Sequence, residues 1–264
     1  LSECHTHCHR AHTVAIVAQP AKSSANVDVD LGISNPPSDV NGFRLASNRV
    51  FVSGQRGIPA GGDYVLLMQF ERAIPTRGTK VPARPEWIHE IKYDGFRLIV
   101  HRDGDRVRLL TRNGHDWSGR YPWIVESALK NRTKHFVIDG EAVVLGIDGI
   151  ADFDALYSRK HDDEVQLYAF DCLALDGDDL RSLPLTMRKT NLDRLLARRP
   201  DGIFVAPFEV GEIGPDLFRA ACRMGLEGLV SKRRDRPYRS GRCAHWIKIK
   251  NPDSPAMKRA AEVD

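Results

Sequence analysis

The chain has 264 residues, 42% of them hydrophobic, enough for one large domain or two small ones with a real core. Its 39 Lys and Arg against 35 Asp and Glu leave a net charge of +4, which permits a polyanionic partner without demanding one. No run of eighteen apolar residues is present, which argues against a transmembrane helix, and five scattered cysteines fit a reducing cytosolic setting better than a disulfide framework.

Residues 1–60 contain neither Trp nor Tyr and are rich in Ser, Asn, Pro, Gly and Ala. So little apolar surface cannot offset the entropy of ordering, and residues 1–65 are expected to form a disordered extension. TVAIVA is too short for a secretory core. Cys4, His5, His7, Cys8, His9 and His12 are all metal-ligand types, but no second Cys/His cluster completes a standard spacing. From Tyr64 the texture changes, and the spacing predicts one domain over residues 66–252. Pro75 to Trp87 reads as a Pro-rich, basic lead-in. RLIVHR and RVRLLTR flank Asp103-Gly104-Asp105, a hairpin signal. YPWIVESALKN reads as a helix. HFVIDGEAVVLGIDG and VQLYAFDCLALDG read as strands ending in Asp-Gly turns. TMRKTNLDRLLARR is a second helix. PDLFRAACRMG is a third, from Pro215 to Gly225, with Leu217, Phe218, Ala221 and Met224 on one face. EGLVSKRR and HWIKIK close the domain as strands. This mixture predicts an α+β fold of antiparallel sheets flanked by helices.

The chemistry gathers in short motifs. In EIKYDGFR, Lys92 stands between Ile91 and Tyr93, two residues before Asp94, which Gly95 follows. A lysine is nucleophilic only as the neutral amine, and apolar neighbours or nearby cations favour that form. Arg112 in RNG follows a strand, where a guanidinium can reach a sugar or phosphate. Glu141 in DGE and Glu227 in EGLVSK supply two carboxylates for a divalent metal. Lys232, Lys248 and Lys250 supply three cations for phosphates, and Phe170 an aromatic face for a base.

KYDG, RNG, DGE, YAFD, EGLVSK and WIKIK stand in the order of the motifs of covalent nucleotidyltransferases, so residues 66–252 resemble that superfamily. EIKYDGFR and WIKIKN are most similar to the bacterial ATP-dependent DNA ligases of break repair. The resemblance implies a nucleotidyltransferase (ATP-grasp-like DNA ligase adenylation) fold, ATP as the nucleotide, and Mg²⁺ or Mn²⁺. It implies that Lys92 attacks the α-phosphate of ATP and holds AMP as a phosphoramidate, and that AMP passes to a 5′-phosphate in nicked double-stranded DNA, where a 3′-hydroxyl displaces it. Glu90 would recognise adenine, and Asp94 and Gly95 belong to the nucleotide-binding motif. Arg97, Arg112 and Arg188 would contact ribose or phosphate, and Arg112 would also meet the nick. Glu141 would bind ribose or metal, Phe170 would stack on adenine, and Glu227 would hold metal. Lys232, Lys248 and Lys250 would bind phosphate. A monomer in the bacterial cytoplasm, associated with the nucleoid and working in DNA repair or recombination, is what such a ligase implies. RNA ligases, capping enzymes and a non-catalytic DNA- or nucleotide-binding remnant remain open alternatives.

Each residue also has an ordinary reading. Phe170 can fill a core, Asp139-Gly140-Glu141 can be a turn, Glu227 and Arg188 can be solvated, and Lys248 and Lys250 can protect an edge strand. Residues 227–252 hold eight Lys and Arg against Glu227 and Asp235, a stretch suited to a polyanion. Family members continue into an OB-fold of five strands. Residues 253–264 carry no strand pattern and are read as a short tail, so an OB-fold or a repair protein is expected from a separate partner.

Overall fold

The computed structural model describes residues 70–198 and 201–262. The disorder expected for residues 1–65, and the Cys/His cluster within it, lie outside the described residues.

Side-chain alternation in β3 (Phe96–Asp103) sets the layering. Leu98 and Val100 point into one core, Ile99 into another. β3 belongs to a sheet ordered β4 (Arg106–Leu110), β3, β5 (His135–Val143), β6 (Gln166–Leu175) and β7 (Asp178–Asp179), with β8 (Ile203–Val205) also paired to β6. The helices α1 (Pro122–Lys130) and α3 (Leu185–Leu196) cover one face, where Ile124, Leu192 and Leu196 meet Leu98, Ile138 and Leu167. Pro122 opens α1 where a missing N–H costs nothing. Between β5 and β6 lies α2 (Phe153–Tyr157), a five-residue helix capped by the Asp152 side chain.

The other face of this sheet meets a second sheet, ordered β1 (Ala73–Arg77), β11 (Gly241–Lys250), β10 (Gly228–Arg233), β2 (Trp87–Ile91) and β9 (Phe208–Val210). Ile99, Val137 and Leu173 pack there against Ala73, Tyr238, Cys243 and Trp246. The outer face of the second sheet carries α4 (Gly214–Arg223), whose Leu217 and Ala221 bury against Leu229. A last helix, α5 (Pro255–Glu262), follows β11. No helix among the described residues is long and apolar enough to cross a membrane.

The α+β class, with sheets flanked by helices, agrees with the sequence, with corrections. The sheets are mixed rather than antiparallel, because β1 runs parallel to β11 and β8 parallel to β6. The Pro-rich lead-in contains β1; Pro75 is tolerated because β1 is an edge strand whose register shifts at Pro75/Thr76. Asp139-Gly140-Glu141 is interior to β5 rather than a turn. Met224 is 40% exposed beyond the last turn of α4, off the helix's buried face. Residues 255–262, read as part of a tail, are helical.

Candidate active site

Lys92 sits one residue past β2, with its backbone N–H donating to the Gly228 carbonyl at 2.9 Å. Its ammonium contacts the Glu227 carboxylate, whose other oxygen lies 3.4 Å from Lys250 Nζ. Glu227 is 6% exposed and immediately precedes β10, which lies between β2 and β11; that position brings one carboxylate to lysines from two different strands. Lys248 pairs with Val230 in the same ladder. Burial, and then the charges of Lys92 and Lys250, push the Lys248 ammonium below its ordinary pKa, and the exposed Arg112 adds to the same field. Four cations around Glu227 make a positive focus of the kind that receives a polyphosphate.

The facing sheet contributes Arg97, directly opposite Glu141 in register. Arg97 is clamped to buried Asp139 through Nε at 2.9 Å and Nη2 at 2.6 Å, and donates to the Ala73 carbonyl at 2.5 Å. Tyr238 donates to the same Asp139 at 2.9 Å. Burial raises the Glu141 carboxyl to about 7; Lys92 and Arg97 oppose the rise, while Glu227 and Asp139 add to it. A cation between Glu141 and Glu227 would relieve that cost. Among the described residues no three His, Cys, Asp or Glu side chains form a metal cage. Two carboxylates beside a cluster of cations nonetheless fit Mg²⁺ or Mn²⁺ arriving with a polyphosphate, because such ions take most of their oxygens from phosphate and water.

Phe170 is half-buried, edge-on to Trp246 at 6.0 Å, with Arg97 5.2 Å and Lys232 4.0 Å from its ring centre. Gly95 is pressed against β5: a Cβ there would stand 2.3 Å from the Ala142 carbonyl oxygen, so only glycine lets the Lys92 loop lie this close. A cavity of about 670 Å³ opens beside the loop, touching Lys92, Asp94 and Glu227. Part of its wall is an aromatic stack, Tyr93 on Tyr168 at 4.6 Å and Tyr168 on Phe204 at 5.6 Å.

Three expected site residues are placed away from the open cleft. Arg188 is fully buried: it grips Asp171 at 2.8 and 2.9 Å and donates to the Leu183 and Arg236 carbonyls, which leaves no open side for a phosphate. Lys232 is buried against Glu90 at 2.5 Å, and Glu90 also holds Lys189 at 2.7 Å. Arg259 of α5 was not foreseen; it pairs with Asp94 and lies 4.7 Å over the Phe153 ring. No local motif marks it, because its partner is 165 residues away. Among the described residues Cys172 and Cys243 are buried free thiols, and burial pushes the Cys172 thiol up to about 12.

The family described as ATP dependent DNA ligase domain matches residues 72–250. The multifunctional non-homologous end joining protein LigD of Pseudomonas aeruginosa is 38% identical over 172 residues, 64% of this chain and 20% of that protein. The Mycobacterium tuberculosis LigD is 35% identical over 190 residues, 70% of this chain and 25% of that one. The chain therefore spans a quarter or less of the length of these relatives. A solved structure of mycobacterial DNA ligase D complexed with ATP and MES superposes with a TM-score of 0.61 at 34% identity, over 68% of this chain and 60% of the other. With its motifs, its two facing sheets and this match over residues 72–250 in agreement, the chain belongs to the ATP-dependent DNA ligase domain family.

Proposed function

We propose that this chain is the catalytic module of an ATP-dependent DNA ligase that adenylates itself on Lys92 and passes AMP to the 5′-phosphate of nicked DNA. The observation that carries this reading is the Lys92–Glu227–Lys250 contact with Lys248 beside it. Lys92 is the nucleophile. Its ammonium must first shed a proton, and Glu227 is the carboxylate in contact with it. The amine then bonds to the α-phosphorus as the bond to pyrophosphate breaks. Lys248, Lys250 and Arg112 stabilise the charge that builds on the phosphate oxygens. Arg97 and Phe170 border the nucleoside, and Glu141 and Glu227 would hold Mg²⁺ or Mn²⁺. When bound, the cation would neutralise phosphate charge. Glu90, Lys232 and Arg188 act from beneath this surface, supporting the strands that present it.

The 5′-phosphate next displaces Lys92 from AMP, and a 3′-hydroxyl displaces AMP to seal the strand. The LigD relatives are end-joining proteins, so repair of DNA breaks in a bacterial cytoplasm is the setting proposed, with nicked double-stranded DNA as the substrate. The test is incubation with α-labelled ATP and Mn²⁺, followed by denaturation. Label on the wild-type chain and none on Lys92→Ala is expected. Nicked DNA already carrying AMP should then be sealed. A chain that neither takes label nor seals such nicks is not this enzyme.

A further inference from the structure

The four residues of the Lys92 loop are each held in a different way. The Lys92 backbone is tied to Gly228, the Tyr93 ring rests on Tyr168, and Gly95 lies against the Ala142 carbonyl. The Asp94 carboxylate is held by Arg259, from the last helix. That helix is itself rooted beside the site. Asn251 donates through its side chain to the Leu226 carbonyl at 3.0 Å and through its backbone to the Glu227 carbonyl at 2.9 Å. Buried Ser254 donates to the Asn251 carbonyl at 2.9 Å and starts α5. After β11 the chain is thus tied beside Glu227 through Asn251, forms α5, and returns through Arg259 to the loop that carries Lys92. Ser254, Pro255, Ala256 and Arg259 wall the cavity on that side.

We infer that Arg259 is a positioning residue for nucleotidyl transfer: through the Asp94 carboxylate it fixes the Lys92 loop, so that the nucleophile is presented in one place. The inference rests on the function proposed above. Asp94 is only 23% exposed at its side chain and feels the like charge of Glu227, so without Arg259 it is an underpaired carboxylate at the mouth of the site. The loop then relaxes toward water and carries Lys92 with it. Displacement of a reacting group by about 1 Å costs on the order of 10²-fold in rate. Arg259 touches neither the phosphate cluster nor Lys92 in the contacts seen, so its loss should slow the bond-forming step without weakening nucleotide binding.

The experiment measures lysyl-AMP formation against ATP concentration in wild type, Arg259→Met, Arg259→Lys, Asp94→Asn and the Arg259→Met/Asp94→Asn double variant. Arg259→Met should lower the maximal rate by roughly 10- to 100-fold and leave half-saturating ATP within about twofold. Arg259→Lys should recover part of the rate by restoring the charge. In the Asp94→Asn background, Arg259→Met should change little more. A wild-type rate in Arg259→Met, or effects that simply multiply, overturns the inference. Amide hydrogen exchange over residues 92–96, without ATP, gives a readout independent of activity. Faster exchange in Arg259→Met supports the positioning role, and unchanged exchange overturns it. If wild type takes no label, the proposed activity falls and the exchange result alone decides the role of Arg259.

Discussion

Glu90 holds two ammonium groups at once, Lys189 at 2.7 Å and Lys232 at 2.5 Å, and none of the three residues is more than 3% exposed. The contacts are ionic, and neither ammonium finds a hydrogen bond of normal geometry. Lys189 and Lys232 overcome the effect of burial and keep the Glu90 carboxyl below its usual range, while Lys232, desolvated beside a second ammonium, is driven down to about 8. Two predictions belong here. Glu90→Gln leaves two buried cations without their counter-charge and should cost about 3–5 kcal/mol, read from urea unfolding. The second concerns pH. Between about 8 and the ordinary 10.5 the unfolded chain holds the Lys232 proton and the folded chain has lost it. Through this group, stability therefore rises with pH across that window, by up to about 1.4 kcal/mol per pH unit. Urea midpoints near both ends of the window should show the rise in wild type and its loss in Lys232→Met. The identity of Glu90 and Lys232 was plain from EIKYDGFR and EGLVSK, but their burial was not, and Lys189 stands in neither motif. A motif position records which residue stands there, and only packing decides whether its charge faces ligand or protein.

At the scale of elements, the strands that carry motifs were legible because they alternate or run apolar between turn signals. β5, β6, β10 and β11 all fall where such patterns lie. Among the strands that such patterns did not mark, β1, β8 and β9 have three to five residues each and pair with distant partners, as β1 does with β11. Gly228 shows what holds such a join. Its φ is +138°, and a Cβ there would lie 2.0 Å from the Ile249 carbonyl oxygen. Gly228→Ala should therefore force β10 away from β11 and cost roughly 1–3 kcal/mol in overpacking, with further backbone strain. Since Gly228 also anchors the Lys92 backbone, label uptake should fall with it. Gly119→Ala, where no atom lies within 4 Å of the added carbon, serves as the control and should stay within about 0.5 kcal/mol of wild type. Equal stability of the two variants would show that the β10–β11 approach is looser than this geometry requires.

At the scale of the molecule, α3 reaches both sheets: Arg188 grips Asp171 of β6, and Lys189 reaches Glu90 of β2. Arg188 also donates to the Arg236 carbonyl, while the backbone N–H groups of Leu185 and Thr186 donate to the Arg236 and Arg234 carbonyls. The loop between β10 and β11 is therefore fixed from beneath. The basic stretch read from the sequence divides in consequence. Lys232 is internal, and Arg233 is spent on Glu86 and Asp235, while Arg234, Arg236 (which shares Asp235 at 3.4 Å), Arg239 and, at the start of β11, Arg242 are exposed on a pinned backbone. Cations held on a rigid loop present a charge pattern to DNA without a large ordering cost. Each phosphate neutralised contributes about 0.9 to the slope of log affinity against log salt. Replacing these four arginines by Gln should therefore flatten the salt dependence for nicked duplex by about 3 to 4 while the urea midpoint stays unchanged. Fluorescence anisotropy from low to moderate salt measures it. An unchanged slope would move the DNA-binding surface off this loop and onto the lysine cluster of the cleft.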